Sequence, residues 1–165
     1  MVKNLTVADF YYIGFALLMG GLVLIVIPRK TIRHLFGFSL VWGYLGSLFF
    51  IIVFGGGLFK LFYWRFSEPF TFFQSPFLLN LAWVPAIMMY IYFLPKIKHL
   101  HLLFLFSFAL VSAGLDEVFH RMGLLEYIHW HPFWRFIIAV VWLLGATIHY
   151  NRIIADNEKF VKDMS

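Results

Sequence analysis

Residues 114–134 read GLDEVFHRMGLLEYIHWHPFW. Three carboxylates (Asp116, Glu117, Glu126) and three histidines (His120, His129, His131) crowd into this stretch. The apolar run HLHLLFLFSFALVSAG precedes it, and RFIIAVVWLLGATIHY follows it. Ionisable groups gathered between two long apolar runs mark either a connection at a membrane surface or a functional site. In both cases the flanking runs read as membrane helices joined by a short polar turn.

The rest of the chain agrees. Of 165 residues, 62% are hydrophobic and only 13% charged, against roughly 25% charged in a soluble domain. With a mean hydropathy of +0.86, too little polar surface remains to clothe a globule in water. The expected fold is all-α: a single polytopic membrane domain over residues 1–165, with about five spans of roughly 20 residues each. The expected spans are residues 9–27, 34–58, 77–94, 100–119 and 133–150. Pro28 ends the first, which has neither a basic leader nor a cleavage pattern and reads as retained. In the second, Ser39, Gly43 and Ser47 recur every fourth residue, a small-residue stripe that lets another helix come close. The third contains Asn80, Trp83 and Pro85. Between spans two and three, residues 59–76 are rich in aromatics but broken by Arg65, Glu68 and two prolines, and read as an interfacial segment. The tail after Tyr150 is polar and suits water or a frayed helix end.

Lys and Arg sit at the ends of apolar runs and form no stripe, so the net charge of +5 is not a nucleic-acid footprint. The absence of cysteine excludes disulfides, thiolate metal sites and thiol catalysis. Counting basic residues orients the bundle. With the first loop in the cytoplasm, that side holds Arg29, Lys30, Arg33, Lys96, Lys98, Arg152, Lys159 and Lys162, eight of the thirteen. The N-terminus is therefore expected outside and the C-terminus in the cytoplasm.

Asp116 lies 16 residues beyond Leu100, about 24 Å along a helix, near the outer edge of a hydrocarbon core about 30 Å thick. His120 is within a turn of both Asp116 and Glu117, Arg135 returns at similar depth, and Asn80 sits near the outer end of the third span. Asn80, Asp116, Glu117, His120 and Arg135 form the candidate polar or ligand site, with a Glu117–Arg135 bridge expected between the last two spans. The bland alternative is that these charges pair or reach water at helix ends. No strong metal motif is present. Glu117-x-x-His120 has the carboxylate–histidine spacing of di-iron bundles but occurs once. His120, His129 and His131 are the weak metal candidates, and no cofactor is expected. Nucleotide-binding loops and nucleophile elbows are absent from the sequence.

NLAWVPAIMMYIYFLPK followed by GLDEVFHRMGLLEYIHW resembles a family of small, uncharacterised five-helix membrane proteins of spore-forming Gram-positive bacteria. Pro85, Tyr92, Glu117, Phe119, Gly123, Tyr127 and Trp130 carry the likeness, which covers the second half of the chain; Val118 stands where many members have proline. The resemblance implies a compact bundle in a bacterial cytoplasmic membrane and no particular activity.

Three functions remain open on the sequence. The first is a non-enzymatic accessory or interaction subunit, with the lipid bilayer, another membrane protein or a second copy as partner. The second is a small carrier or ligand-binding membrane protein using the outer polar layer. The third is a membrane metalloenzyme with a His/carboxylate site. Reporter fusions at Arg33, at Lys98 and at the C-terminus are expected to report the cytoplasm; an external C-terminus or a mixed population contradicts the orientation.

Overall fold

Pro28 and the glycines at 55–57 divide the first third of the chain, and helices fill the space between them. A computed structural model describes residues 7–65, 71–72, 75–95 and 97–163. Helix α1 spans Val7–Val26, α2 Arg29–Phe54, α3 Phe77–Tyr92, α4 Lys98–Arg121 and α5 Pro132–Asp163. Four of them, all but α3, are long and apolar enough to cross a membrane. Helix α3 has 16 residues, about 24 Å of helix, and is shorter than the expected third span.

Other boundaries move for local reasons. Proline is well placed just before a helix, so α2 starts at Arg29 and takes RKTIR into its first turns, five residues ahead of expectation. It stops at Phe54, short of the expected Leu58, where three glycines follow. Helix α5 passes Tyr150 without a break and continues to Asp163, because NRIIADNEKFVKD contains neither glycine nor proline.

Helix α3 is the centre. Nine of its residues are buried, against three in α1. It packs on α1 and α2, while α4 and α5 form an antiparallel pair against it. The α2–α3 contact rests on the small-residue stripe. Gly43 lies so close to α3 that a Cβ there would come 2.6 Å from the Trp83 carbonyl oxygen. Ser39 is fully buried, and Ser47 donates to Asn80 of α3. Residues Leu40–Leu45 within this stretch are π-helical. A four-residue spacing drifts about 40° per step around a regular helix. The wider π turn winds less per residue and cancels part of that drift, which keeps the stripe facing α3.

Strands close one end of the bundle. β1 (Phe62–Trp64) pairs antiparallel with β4 (Leu125–Tyr127), and β2 (Thr71–Phe72) pairs with β3 (Ser75–Pro76). Helix α4 delivers the chain to β4 through a left-handed turn at Gly123 (φ 72°), where Gly123 N–H bonds His120 O and Leu124 N–H bonds Phe119 O. That 5→2 and 6→1 pattern is a Schellman cap, and glycine takes its left-handed residue without a Cβ penalty. The expected interfacial segment is in part a short strand packed on the bundle. Phe62 and Trp64 are buried in a core cluster with Phe119, Leu125 and Trp130, and only Tyr63 between them faces out. Residues 66–70 and 73–74 of that segment lie outside the described residues. Tyr12 of α1 ties into the same cap, donating to Arg65 O at 2.7 Å.

Gly43→Ala is expected to destabilise the protein by about 1–3 kcal/mol, because the new methyl group meets backbone. Gly37→Ala in the same helix meets nothing within 4 Å and is expected to be neutral or to stabilise by up to about 1 kcal/mol. Equilibrium unfolding in mixed micelles measures both.

Candidate functional site

The candidate residues separate into a buried pair and its surroundings. Asp116 lies five residues from the end of α4, and Arg135 three residues into α5. Their side chains meet with Arg135 Nε 2.9 Å from Asp116 Oδ2, at 11% and 7% exposure. The Nε–H is not aimed along that line and has no hydrogen-bond acceptor among the described residues. The contact is therefore an ion pair without an aligned hydrogen bond, and the guanidinium donors are not used up by the carboxylate. The guanidinium carbon also lies 4.6 Å from the Phe50 ring centre and 5.2 Å from that of Trp83. Both are within cation–π range, so side chains from α2, α3, α4 and α5 converge on one cation.

The expected Glu117–Arg135 bridge is corrected. Successive residues of a helix point about 100° apart, so when Asp116 faces α5, Glu117 cannot. Its carboxylate instead accepts from Arg121 Nε at 2.8 Å, one turn along α4. Asn80 is fully buried but belongs to another network. Its Oδ1 accepts from Ser47 Oγ at 2.7 Å, and its Nδ2 donates to Ser75 Oγ, which ties α2 and β3 to α3. His120 Nδ1 lies 2.9 Å from the Leu125 carbonyl oxygen. A carbonyl only accepts, so this nitrogen carries the proton. The imidazole stacks on Tyr127 with centroids 4.0 Å apart. The Tyr127 hydroxyl is buried without a hydrogen-bond partner among the described residues. Burial, aided by the Asp116 and Glu117 carboxylates, raises its pKa well above the ordinary phenol range.

The three histidines do not converge. His131 Nδ1 accepts the Phe133 N–H at 3.2 Å and caps the start of α5, and His129 is exposed. Among the described residues no three His, Cys, Asp or Glu side chains gather as a metal site would require.

The sequence reading missed a cavity of about 80 Å³ beside the ion pair. Asp116 and Arg135 form part of its wall, and the rest is aromatic and aliphatic with two glycines and two serines, the aromatic side including Trp42, Trp64, Trp83 and Trp142. It reaches from the strand-capped end down to Trp142, ten residues into α5. Of its lining side chains only Phe49 is exposed, at 57%, and it marks the opening on α2. Trp142 stands where the π turn of α2 loosens the backbone, and its Nε1 donates to the Trp42 carbonyl at 3.0 Å. Tryptophan normally sits at the membrane–water boundary; Trp42 and Trp142 well inside apolar runs were the signal available in the sequence.

Compared with known proteins, the chain matches no family model, no curated protein and no solved structure. The reading of the site rests on its geometry.

A double-mutant cycle tests the pair. Asp116→Asn leaves Arg135 buried without its counter-charge and is expected to cost about 3–5 kcal/mol, while Asp116→Asn with Arg135→Gln recovers most of that loss. Glu117→Gln is expected to stay within about 0.5 kcal/mol. Additive losses at Asp116 and Arg135 contradict the pairing.

Proposed function

We propose that the chain is a membrane-embedded binding protein, a small carrier or receptor, which holds the polar head of an amphiphile in the aromatic cavity beside Arg135. The observation that carries this reading is Arg135 itself. Its side chain is 11% exposed, lines the cavity, and keeps an Nε donor that Asp116 does not engage. A bundle that needed only a tie between α4 and α5 gains nothing from an arginine donor left without an acceptor.

Size supports a headgroup and not a whole lipid. An apolar cavity of roughly 150 Å³ takes a benzene molecule. The cavity here has about half that room. It suits a head and a few carbons, with the remaining tail passing Phe49 into the bilayer. In this reading all five helices cross the membrane, with the N-terminus outside and the C-terminus in the cytoplasm, in a bacterial cytoplasmic membrane. Helix α3 crosses despite its length because the other helices surround it. The cavity then opens in the outer leaflet.

A second reading, a non-enzymatic accessory subunit, draws on the exposed pairs Arg65–Glu126 (3.3 Å) and Arg121–Glu117 at the strand-capped end. These offer a charged rim to a membrane partner, and the ion pair inside would serve only as a tie.

Binding separates the two. Four of the six tryptophans line the cavity, so a water-soluble bromo acid, 6-bromohexanoate, reports occupancy by quenching their fluorescence. Saturable quenching is expected. In Arg135→Gln, loss of a charge-assisted hydrogen bond, about 1.5–3 kcal/mol, weakens affinity roughly 10- to 150-fold. Quenching that never saturates, or is equal in the variant, favours the accessory subunit.

A further inference from the structure

Asp116 and Arg135 together carry no net charge, and they form one wall of a cavity whose other walls are apolar. The groups that titrate around Asp116 are few. Arg135 faces it from α5 and Tyr127 from β4. On α4 itself, Glu117 is turned to Arg121 and His120 to Leu125. The cavity residues supplied by α2, α3 and β1 are aromatic, aliphatic, glycine or serine, and α1 supplies none. An anion that entered beside Arg135 would leave one uncompensated negative charge in this apolar setting. Such a charge costs several kcal/mol, and a carboxylic acid that takes up a proton avoids the cost.

We propose that the cavity takes a lipid-soluble monocarboxylic acid as its anion together with one proton, which Asp116 receives. This rests on the ligand-binding reading above. The carboxylate of the ligand accepts N–H bonds from the Arg135 guanidinium. The proton comes from water and bonds to a carboxylate oxygen of Asp116. The pair Asp⁻·Arg⁺ becomes Asp-H·Arg⁺·ligand⁻, and the cavity is neutral before and after. No bond of the ligand is made or broken. A carboxylate suits the site better than a phosphate monoester, whose second ionisation adds charge that one proton cannot balance, and it suits the small volume. Because acid and proton enter and leave together, the cavity moves or senses the acid in step with the proton gradient.

The experiment measures hexanoate binding by wild-type protein in nanodiscs, by competition with 6-bromohexanoate quenching, between about pH 6 and pH 8, where the free acid is ionised. Uptake of one proton makes affinity fall about tenfold for each unit of rising pH. Asp116→Asn mimics the protonated carboxylate, so its affinity is expected to stay flat across the same range. Hexanoate is also expected to restore the thermal stability that this variant lacks, by supplying the missing counter-charge. Methyl hexanoate, which cannot ionise, is expected to bind at least tenfold more weakly than hexanoate at the acid end. If wild-type protein binds hexanoate saturably with no dependence on pH, proton coupling is wrong and the ligand-binding reading stands. If neither hexanoate nor its ester binds saturably at any pH, both readings fail. A destabilised Asp116→Asn leaves the wild-type pH series decisive.

Discussion

Arg135 can sit inside this bundle only because Asp116 sits there too. Each charge alone would be expelled toward water or would unfold the end of its helix. Together they lock the register of α4 against α5, since sliding either helix by a turn would part them by about 5.4 Å. Phe50 and Trp83 extend the constraint to α2 and α3 by stacking on the same guanidinium. The strand pair β1–β4 and the Tyr12 hydrogen bond close the end above it. Four helices meeting on one cation leave a gap beside it that aromatic rings line without filling, and that gap is the cavity.

Long apolar runs made the helices legible, because only a helix satisfies its own backbone in lipid. Boundaries were harder. RKTIR, expected in the loop before a second span starting at His34, is helical instead, since Pro28 permits a helix to start at once and long basic side chains reach water from its first turn. Counting along the fourth span brought Asp116 and Arg135 to similar positions, and their side chains meet. Which carboxylate met the arginine depended on a rotation of about 100° between neighbours, and small errors in helix phase decide that. The β1–β4 pairing joins residues more than sixty apart through three-residue strands, too short for an alternating pattern to show. Trp42 and Trp142 lie inside expected spans, and nothing in the sequence shows that they share one cavity with Trp64 and Trp83. Asp9, at the start of the first expected span, is almost fully buried in the structure, which its charge did not foreshadow.

The small-residue stripe of α2 shows how one irregularity serves two contacts. Gly43 lets the backbone of α3 approach, and a regular helix would carry Ser39 and Ser47 away from that line. The π turn holds them on it. A π turn also disturbs the regular carbonyl ladder, and the Trp42 carbonyl finds the Trp142 indole of α5. The same segment therefore seats α2 on α3 and fastens it to α5, at the lower end of the cavity.

Helix α3 is too short to match a bilayer by itself, yet most of it touches protein. Hydrophobic mismatch acts where helix meets lipid, and helices answer it by tilting or by thinning the bilayer around them. In a bilayer that strain would fall on α1, α2, α4 and α5, the four helices long and apolar enough to cross. Helix α3 takes its depth from Gly43, from Ser47 and Ser75 through Asn80, and from Thr147, which shares a 2.7 Å hydrogen bond with Tyr90. The position of the central helix is in this way gauged by side chains of its neighbours and not by its own length.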